Sequence, residues 1–148
     1  MKKISFYLIS FMLLSVLANA NNILVTNASI SSQNTTNHTA LVNFSVSWEN
    51  SWRTSTNENN YDGGWIFVKF RKNGTTDWRH ATLNVTGNTA ASGAAITVPA
   101  DGKGAFIYRS ANGIGNVNFA ANSIQWNYGV DGILDNETVE ILVYGLEM

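Results

Sequence analysis

The chain has 148 residues with 9 basic and 10 acidic side chains, a formal net charge of −1, and only 13% charged residues. No basic block stands out, which excludes nucleic acid as the expected partner, because such partners require clustered Lys and Arg. Cysteine is absent, so disulfides, thiol catalysis and cysteine-ligated metals are excluded.

The first 20 residues have the layout of a secretory signal peptide. Two lysines precede an apolar run over residues 4–17, and Ala18-Asn19-Ala20 supplies the small residues that a signal peptidase recognises. The run is too short for a comfortable membrane span, and an uncleaved anchor is the alternative. We predict a signal peptide over residues 1–20 that touches the membrane only transiently and is cleaved after Ala20. Residues 21–148, with 7 basic and 10 acidic side chains, would then be secreted, periplasmic or at the cell exterior.

Apolar residues alternate with a period of two beyond residue 20, which predicts β-strands. From Ala40 to Trp48 every second side chain is apolar, while Asn43, Ser45 and Ser47 point the other way, as in a half-buried antiparallel strand. The same pattern predicts strands at residues 23–30, 40–48, 64–71, 81–86, 96–98, 104–109, 116–127 and 138–146. We therefore predict an all-β fold, an antiparallel β-sandwich of about eight strands in one domain over residues 21–148, with a small barrel as the alternative.

Glycine-containing dipeptides mark the predicted turns. Asn73-Gly74 and Asn112-Gly113 are typical of tight hairpins, because both residue types tolerate positive φ. Asp101-Gly102 and Asp131-Gly132 indicate turns of the same kind. The polar stretch from Ser51 to Asn60 is predicted to be the longest loop.

One face of the predicted strand 64–71 is the main candidate for a binding surface. Trp65, Phe67, Lys69 and Arg71 share this face, and flat rings followed by donors suit a stacked sugar, so these four residues are predicted to bind a ligand. The alternative is that the two rings are buried under a second sheet or a loop. Other aromatic residues are expected to plug the core or its corners: Trp52, Tyr61, Trp78, Trp126 and Tyr128.

A cluster of acidic and amide side chains precedes the last predicted strand. Asp131, Asp135 and Asn136 offer the oxygen ligands that calcium prefers, and they are the candidate metal ligands. The dense spacing of a typical calcium loop is missing, so a solvated turn is the alternative. His38 and His80 have no partner at metal-ligand spacing, and His80 is predicted at the surface of a strand.

No catalytic motif stands out in the chain. No serine lies in a G-x-S-x-G elbow, and the carboxylates are sparse and lie mostly in turns, which argues against a glycosidase pair. Gly102-Lys103-Gly104 and Gly113-Ile114-Gly115 do not match a phosphate loop. The sequence therefore predicts no enzyme activity, no catalytic residue and no cofactor.

Five short segments stand out in chain order: residues 48–53 (WENSWR), 61–70 (YDGGWIFVKF), 78–81 (WRHA), 102–109 (GKGAFIYR) and 126–129 (WNYG). Together they resemble the N-terminal β-rich domain of secreted Bacteroidetes proteins that carry a formylglycine-generating-enzyme-like (sulfatase-modifying factor) domain. The resemblance covers residues 23–148.

In such proteins the β-rich domain precedes a C-type-lectin-like modifying domain, and this chain stops at the join, after Leu146-Glu147-Met148. The catalytic-type domain and the cysteines of the sulfatase-activating enzymes are missing, so the resemblance carries no catalytic residue over. It implies an accessory module, either a stand-alone copy or a truncated reading frame. Its partner would be another protein or the missing C-terminal domain.

Two functions follow as expectations. The first is a secreted, non-catalytic accessory module that mediates binding or assembly; the predicted strand from Val139 to Leu146 is apolar on both faces, which fits a central position or a docking edge. The second is a carbohydrate-binding module that uses the face of Trp65. A sugar role requires exposed rings, so the exposure of Trp65, Phe67, Trp78 and Trp126 discriminates between the two.

Overall fold

A computed structural model describes residues 21–57 and 59–147, which form two antiparallel β-sheets packed against each other. This confirms the all-β fold. The predicted signal peptide lies outside the described residues. Within the described ranges no helix is long and apolar enough to cross a membrane. The strands are β1 (Leu24–Asn34), β2 (Thr39–Arg53), β3 (Gly63–Lys72), β4 (Arg79–His80), β5 (Ala94–Thr97), β6 (Ala105–Arg109), β7 (Gly113–Trp126) and β8 (Val139–Glu147).

The three-stranded sheet has the order β1-β2-β7, with β2 in the middle. The predicted strand 40–48 is confirmed, and its apolar row, which includes Val42 and Phe44, is buried. The strand continues to Arg53, because β7 pairs with it as far as Gly113. The beginning of the predicted loop from Ser51 to Asn60 is therefore strand, a correction to the sequence prediction.

The five-stranded sheet is organised around β3. One edge of β3 pairs with β8 along its whole length, from Gly64–Glu147 to Lys72–Val139. The opposite edge is shared by β6 in its first half and β4 in its second, and β5 lies outside β6. In the described chain β8 pairs on one side only, so the last strand is an edge rather than a central strand.

The core fills the space between the two sheets with alternate side chains from both. Ile66, Val68 and Phe70 of β3 are at most 2% exposed. The Phe70 ring lies 4.9 Å from the ring of Trp126 on β7, which belongs to the opposite sheet. The inner row of β3 therefore joins the two sheets, and the outer row of β3 faces away from the core.

The predicted strand 81–86 is wrong as a strand. Ala81 and Leu83 are buried as the alternation suggested, but each joins the sheets by single contacts: Ala81 N donates to Val68 O, and Leu83 forms an isolated bridge with Trp126. Ordered pairing is confined to the two residues of β4 just before them. Alternation in this segment therefore does not indicate a ladder: Ala81 and Leu83 are buried in a loop, and Val85, the next apolar residue of the pattern, is 57% exposed.

Two of the predicted hairpins also differ from the structure. Asn112-Gly113 joins β6 to β7, which belong to different sheets, so it is a crossover. Gly74 has a φ of +78° as expected, but the connection from β3 to β4 extends to Trp78 and is not a tight hairpin. Asp101-Gly102 does lie in a hairpin, between β5 and β6, and Gly102 has a φ of +67°.

Asp62 is a buried carboxylate that ties the start of β3 to the end of β2. It accepts hydrogen bonds from Trp48 Nε1 (2.9 Å), Ser51 Oγ (3.1 Å) and Trp52 N (2.8 Å). A buried donor that loses its acceptor is costly. This carboxylate therefore fixes the corner at which the chain passes from one sheet to the other.

We expect Asp62→Ala to lower the free energy of unfolding by about 2–4 kcal/mol, because it leaves buried donors without an acceptor. Urea denaturation followed by tryptophan fluorescence measures the change. The matched control is Asp77→Ala at an exposed loop position, where the change should stay within about 0.5 kcal/mol. Equal effects of the two substitutions would contradict the role of Asp62.

Candidate functional site

The outward side of the five-stranded sheet carries a continuous row of aromatic side chains. Each of these side chains is half-buried. We call this surface the aromatic face; it consists of Tyr61, Trp65, Phe67, Phe106, Tyr108 and Tyr144.

Successive rings of the aromatic face lie within contact distance of one another, in the range typical of aromatic pairs. The centroid distances are 4.6 Å for Tyr61–Tyr108, 5.3 Å for Tyr108–Phe106, 5.9 Å for Phe106–Trp65, 6.1 Å for Trp65–Phe67 and 5.5 Å for Phe67–Tyr144. The rings thus form one surface that crosses three strands and the loop before β3.

Two glycines allow the rings to lie close to the backbone. A Cβ at Gly63 would lie 2.7 Å from the Phe106 ring, and one at Gly104 would lie 2.9 Å from Trp65 Nε1. Gly104 also has a φ of +94°, which side chains other than glycine rarely adopt. Because Gly63 and Gly104 have no side chain, the rings of Phe106 and Trp65 can approach the backbone of the sheet closely.

The structure places the four predicted ligand residues in one outward row on β3. Trp65 and Phe67 are half-buried and do not belong to the core between the sheets. Arg71 donates two hydrogen bonds to Glu140 Oε2, at 3.1 and 2.6 Å, and its guanidinium lies 4.7 Å from the Trp78 ring.

The sequence pattern does not identify the other rings of the aromatic face. Tyr144 lies opposite Phe67 and Phe106 lies opposite Trp65 in the strand register. The alternation within each strand was visible, but which strands pair was not. The segments 61–70 and 102–109 each contribute rings, and both were singled out as motifs.

A cation extends the aromatic face beyond Tyr61. The Arg53 guanidinium lies 4.9 Å from the Tyr61 ring centroid and 5.6 Å from that of Tyr108. It also donates to the Arg109 carbonyl, which holds it in place. Such a cation over a ring face is attracted by the π electrons of the ring.

An open depression of about 290 Å³ lies at the opposite edge of the sheet, between Trp65, Phe67, Leu146 and Glu147. The Glu147 carboxylate accepts hydrogen bonds from the backbone N–H groups of Asn21 and Ile23, both at 3.1 Å. The depression is shallow compared with enclosed ligand pockets, whose volumes run from about 300 to 1,000 Å³. Its shape suits a ligand that lies along the surface.

The remaining aromatic residues do not share one platform. Trp126 and Tyr128 are buried in the core, as predicted, whereas Trp52 is 40% exposed on the other sheet. Trp78 is half-buried against Arg71. His80 is exposed on β4, as predicted, and its ring meets the edge of Phe67 at 5.9 Å.

The candidate metal ligands have other partners in the structure. Asp131 is buried and accepts hydrogen bonds from Trp126 Nε1 (2.6 Å), Thr82 N (2.8 Å) and Thr82 Oγ1 (2.8 Å). Asn136 is exposed. In residues 21–57 and 59–147, no three His, Asp or Glu side chains are grouped to hold a metal ion. A metal at Asp131, Asp135 and Asn136 stays a prediction without geometric support.

Asp135 belongs to a second polar cluster at the end of the sandwich. Hydrogen bonds from the Tyr128 hydroxyl (2.7 Å) and then His38 (3.0 Å) hold the pKa of the Asp135 carboxyl below its usual value. Burial, and next the contact with Asp135, raises the pKa of Tyr128 above its usual value. The cluster therefore joins the turn between β1 and β2 to the loop before β8.

No family model matches the chain, and neither a curated protein nor a solved structure matches it.

We expect Asp135→Asn to destabilise the protein near pH 7 and to do so less as the pH falls. The pKa of Asp135 in the folded protein lies below its value in the unfolded chain, so the ionised carboxylate stabilises the folded protein. This stabilisation is complete above the unfolded pKa and is lost as the pH falls through the folded pKa. Thermal unfolding of the native and variant proteins between about pH 7 and pH 2 measures this. The control, Asp77→Asn, removes one exposed loop charge. A stability difference for Asp135→Asn that is constant with pH would contradict the expectation.

Proposed function

We propose that this chain is a non-catalytic binding module that holds a glycan on the aromatic face. The observation that carries the proposal is the row of contacting, half-buried rings on the outward side of a paired sheet. Rings on strands are held more rigidly than rings on loops, so they offer a surface that is organised before the ligand arrives.

The polar groups around the rings also support a glycan ligand. Lys69, Arg53 and the tyrosine hydroxyls border the apolar surface, and a sugar presents an apolar ring face surrounded by hydroxyl groups. A sugar ring can stack on the aromatic surface while its hydroxyls meet these donors.

The carboxylates nearest the aromatic face support binding rather than hydrolysis. Glu140 is engaged by Arg71, and Glu147 by two backbone N–H groups. Hydrolysis of a glycosidic bond requires two carboxyl groups that flank the bond and exchange protons with it. Because both carboxylates are hydrogen-bonded within the protein, they favour a module that binds its glycan without cleaving it.

Trp65→Ala and Phe67→Ala should each weaken glycan binding by roughly tenfold, because each removes a stacking surface. A glycan array identifies the ligand, and calorimetry measures the affinity of each variant. Trp52→Ala is the matched control, since it removes an exposed tryptophan from the other sheet. Unfolding curves confirm that each variant is folded.

Failure of the folded native protein to bind any glycan on the array would refute the proposal. Equal losses from Trp65→Ala and Trp52→Ala would refute the location on the aromatic face.

A second candidate is assembly with a protein partner, in line with the resemblance to accessory domains. The observation that favours it is the exposure of two apolar side chains on the edge strand β8, where Leu142 is 47% and Leu146 is 53% exposed. Such an edge can accept another strand. The candidate predicts a complex whose mass exceeds that of the single chain, measured by light scattering, and its loss on Leu146→Lys.

A further inference from the structure

Lys69 stands out among the cations of the five-stranded sheet. It continues the outward row of Trp65 and Phe67, and the register places it between His80 on β4 and Leu142 on β8. It is half-buried, and it forms no salt bridge within the described residues. Lys69 therefore lies next to Phe67 in the outward row and has no acidic partner within the described residues.

The acidic groups around the aromatic face do not balance this charge. Glu140 is the single acidic residue among the outward strand positions of the described sheet, and Arg71 engages it at 2.6 Å. Glu147, at the edge, accepts from two backbone N–H groups. Arg53 adds a further positive charge over Tyr61.

This local excess of positive charge contrasts with the composition of the chain. Residues 21–148 carry 7 basic and 10 acidic side chains, so a surface taken at random would be weakly negative. Around the aromatic face, the charged groups without an ion-pair partner in the described residues are the cations Lys69 and Arg53 and the anion Glu147, which leaves one net positive charge. A ligand that complements this surface has an apolar ring face and a negative group.

We infer that the aromatic face takes an acidic polysaccharide, with sugar rings over Phe67 and Tyr144 and a carboxylate or sulfate group at Lys69. The inference rests on the proposed glycan binding and specifies its ligand class. Side chains two residues apart on a strand are separated by about 7 Å, so a sugar stacked on Phe67 carries its charged substituent to the Lys69 ammonium. Arg53 would meet a second charged unit of the same polymer beyond Tyr61.

The experiment compares the affinity of the purified protein for four probes by calorimetry. They are an oligogalacturonate, a sulfated dextran, an uncharged dextran and polyglutamate, a polyanion without sugar. The variants are Lys69→Met, Lys69→Arg and, as a control of equal charge, Lys103→Met, whose ammonium contacts Thr82 Oγ1 instead. Unfolding curves confirm that each variant is folded.

We expect binding to at least one of the two acidic glycans, weaker binding to the uncharged dextran, and none to polyglutamate. Lys69→Met should weaken acidic glycan binding by about five- to tenfold, with Lys69→Arg retaining it and Lys103→Met without effect. Binding of the native protein should fall as salt rises, and the Lys69→Met variant should respond less to salt. Which acidic probe binds identifies a carboxylate or a sulfate as the recognised group.

Four outcomes would overturn the inference. Equal binding of charged and uncharged glycans would refute the preference for an acidic ligand, while the proposal of glycan binding would stand. Equal binding of polyglutamate, or equal losses from Lys69→Met and Lys103→Met, would show attraction of any polyanion rather than recognition at Lys69. The absence of binding to every glycan, here and on the array, would refute the proposed function itself.

Discussion

The alternation of side chains along β3 is the constraint on which the rest of the structure depends. Its inner row, Ile66, Val68 and Phe70, fills the core between the sheets, and the same pleat turns Trp65, Phe67 and Lys69 outward. A shift of pairing by one residue would exchange the two rows. The stability of the fold and the orientation of the candidate site therefore share a single register, set by β8 along one edge and by β6 and β4 along the other.

Buried carboxylates tie together the corners of the sandwich, whose sequence contains no cysteine for disulfides. Asp62 receives the indole N–H of Trp48, and Asp131 receives that of Trp126. Each aspartate also accepts a backbone N–H from a neighbouring segment. Every buried side-chain polar atom in the described residues has a partner, so these polar corners add order without leaving an uncompensated group.

The sequence alone predicted most strands and the outward row of β3, because both depend on a local period of two. It did not predict that Asp131 is a structural carboxylate, since its partners Thr82 and Trp126 come together only when the sheets pack. For the same reason, Tyr144 and Phe106 could not be assigned to the candidate site: their closeness to Phe67 and Trp65 follows from strand order. The wrong strand at 81–86 shows that alternation alone does not establish pairing, because Ala81 and Leu83 are buried without a ladder and Val85 is exposed.

The contact of Glu147 with the backbone of Asn21 and Ile23 brings both ends of the described fold to one point. The Ile23 side chain lies over Gly64 and Gly145, where a Cβ would come within 2.6 Å of it. Ends that lie this close can be joined by a short linker and new ends opened in an exposed loop. Residues 85–87 form such a loop, so a circular permutant opened there would keep β3, β6 and β8, and thus the aromatic face, on uninterrupted strands.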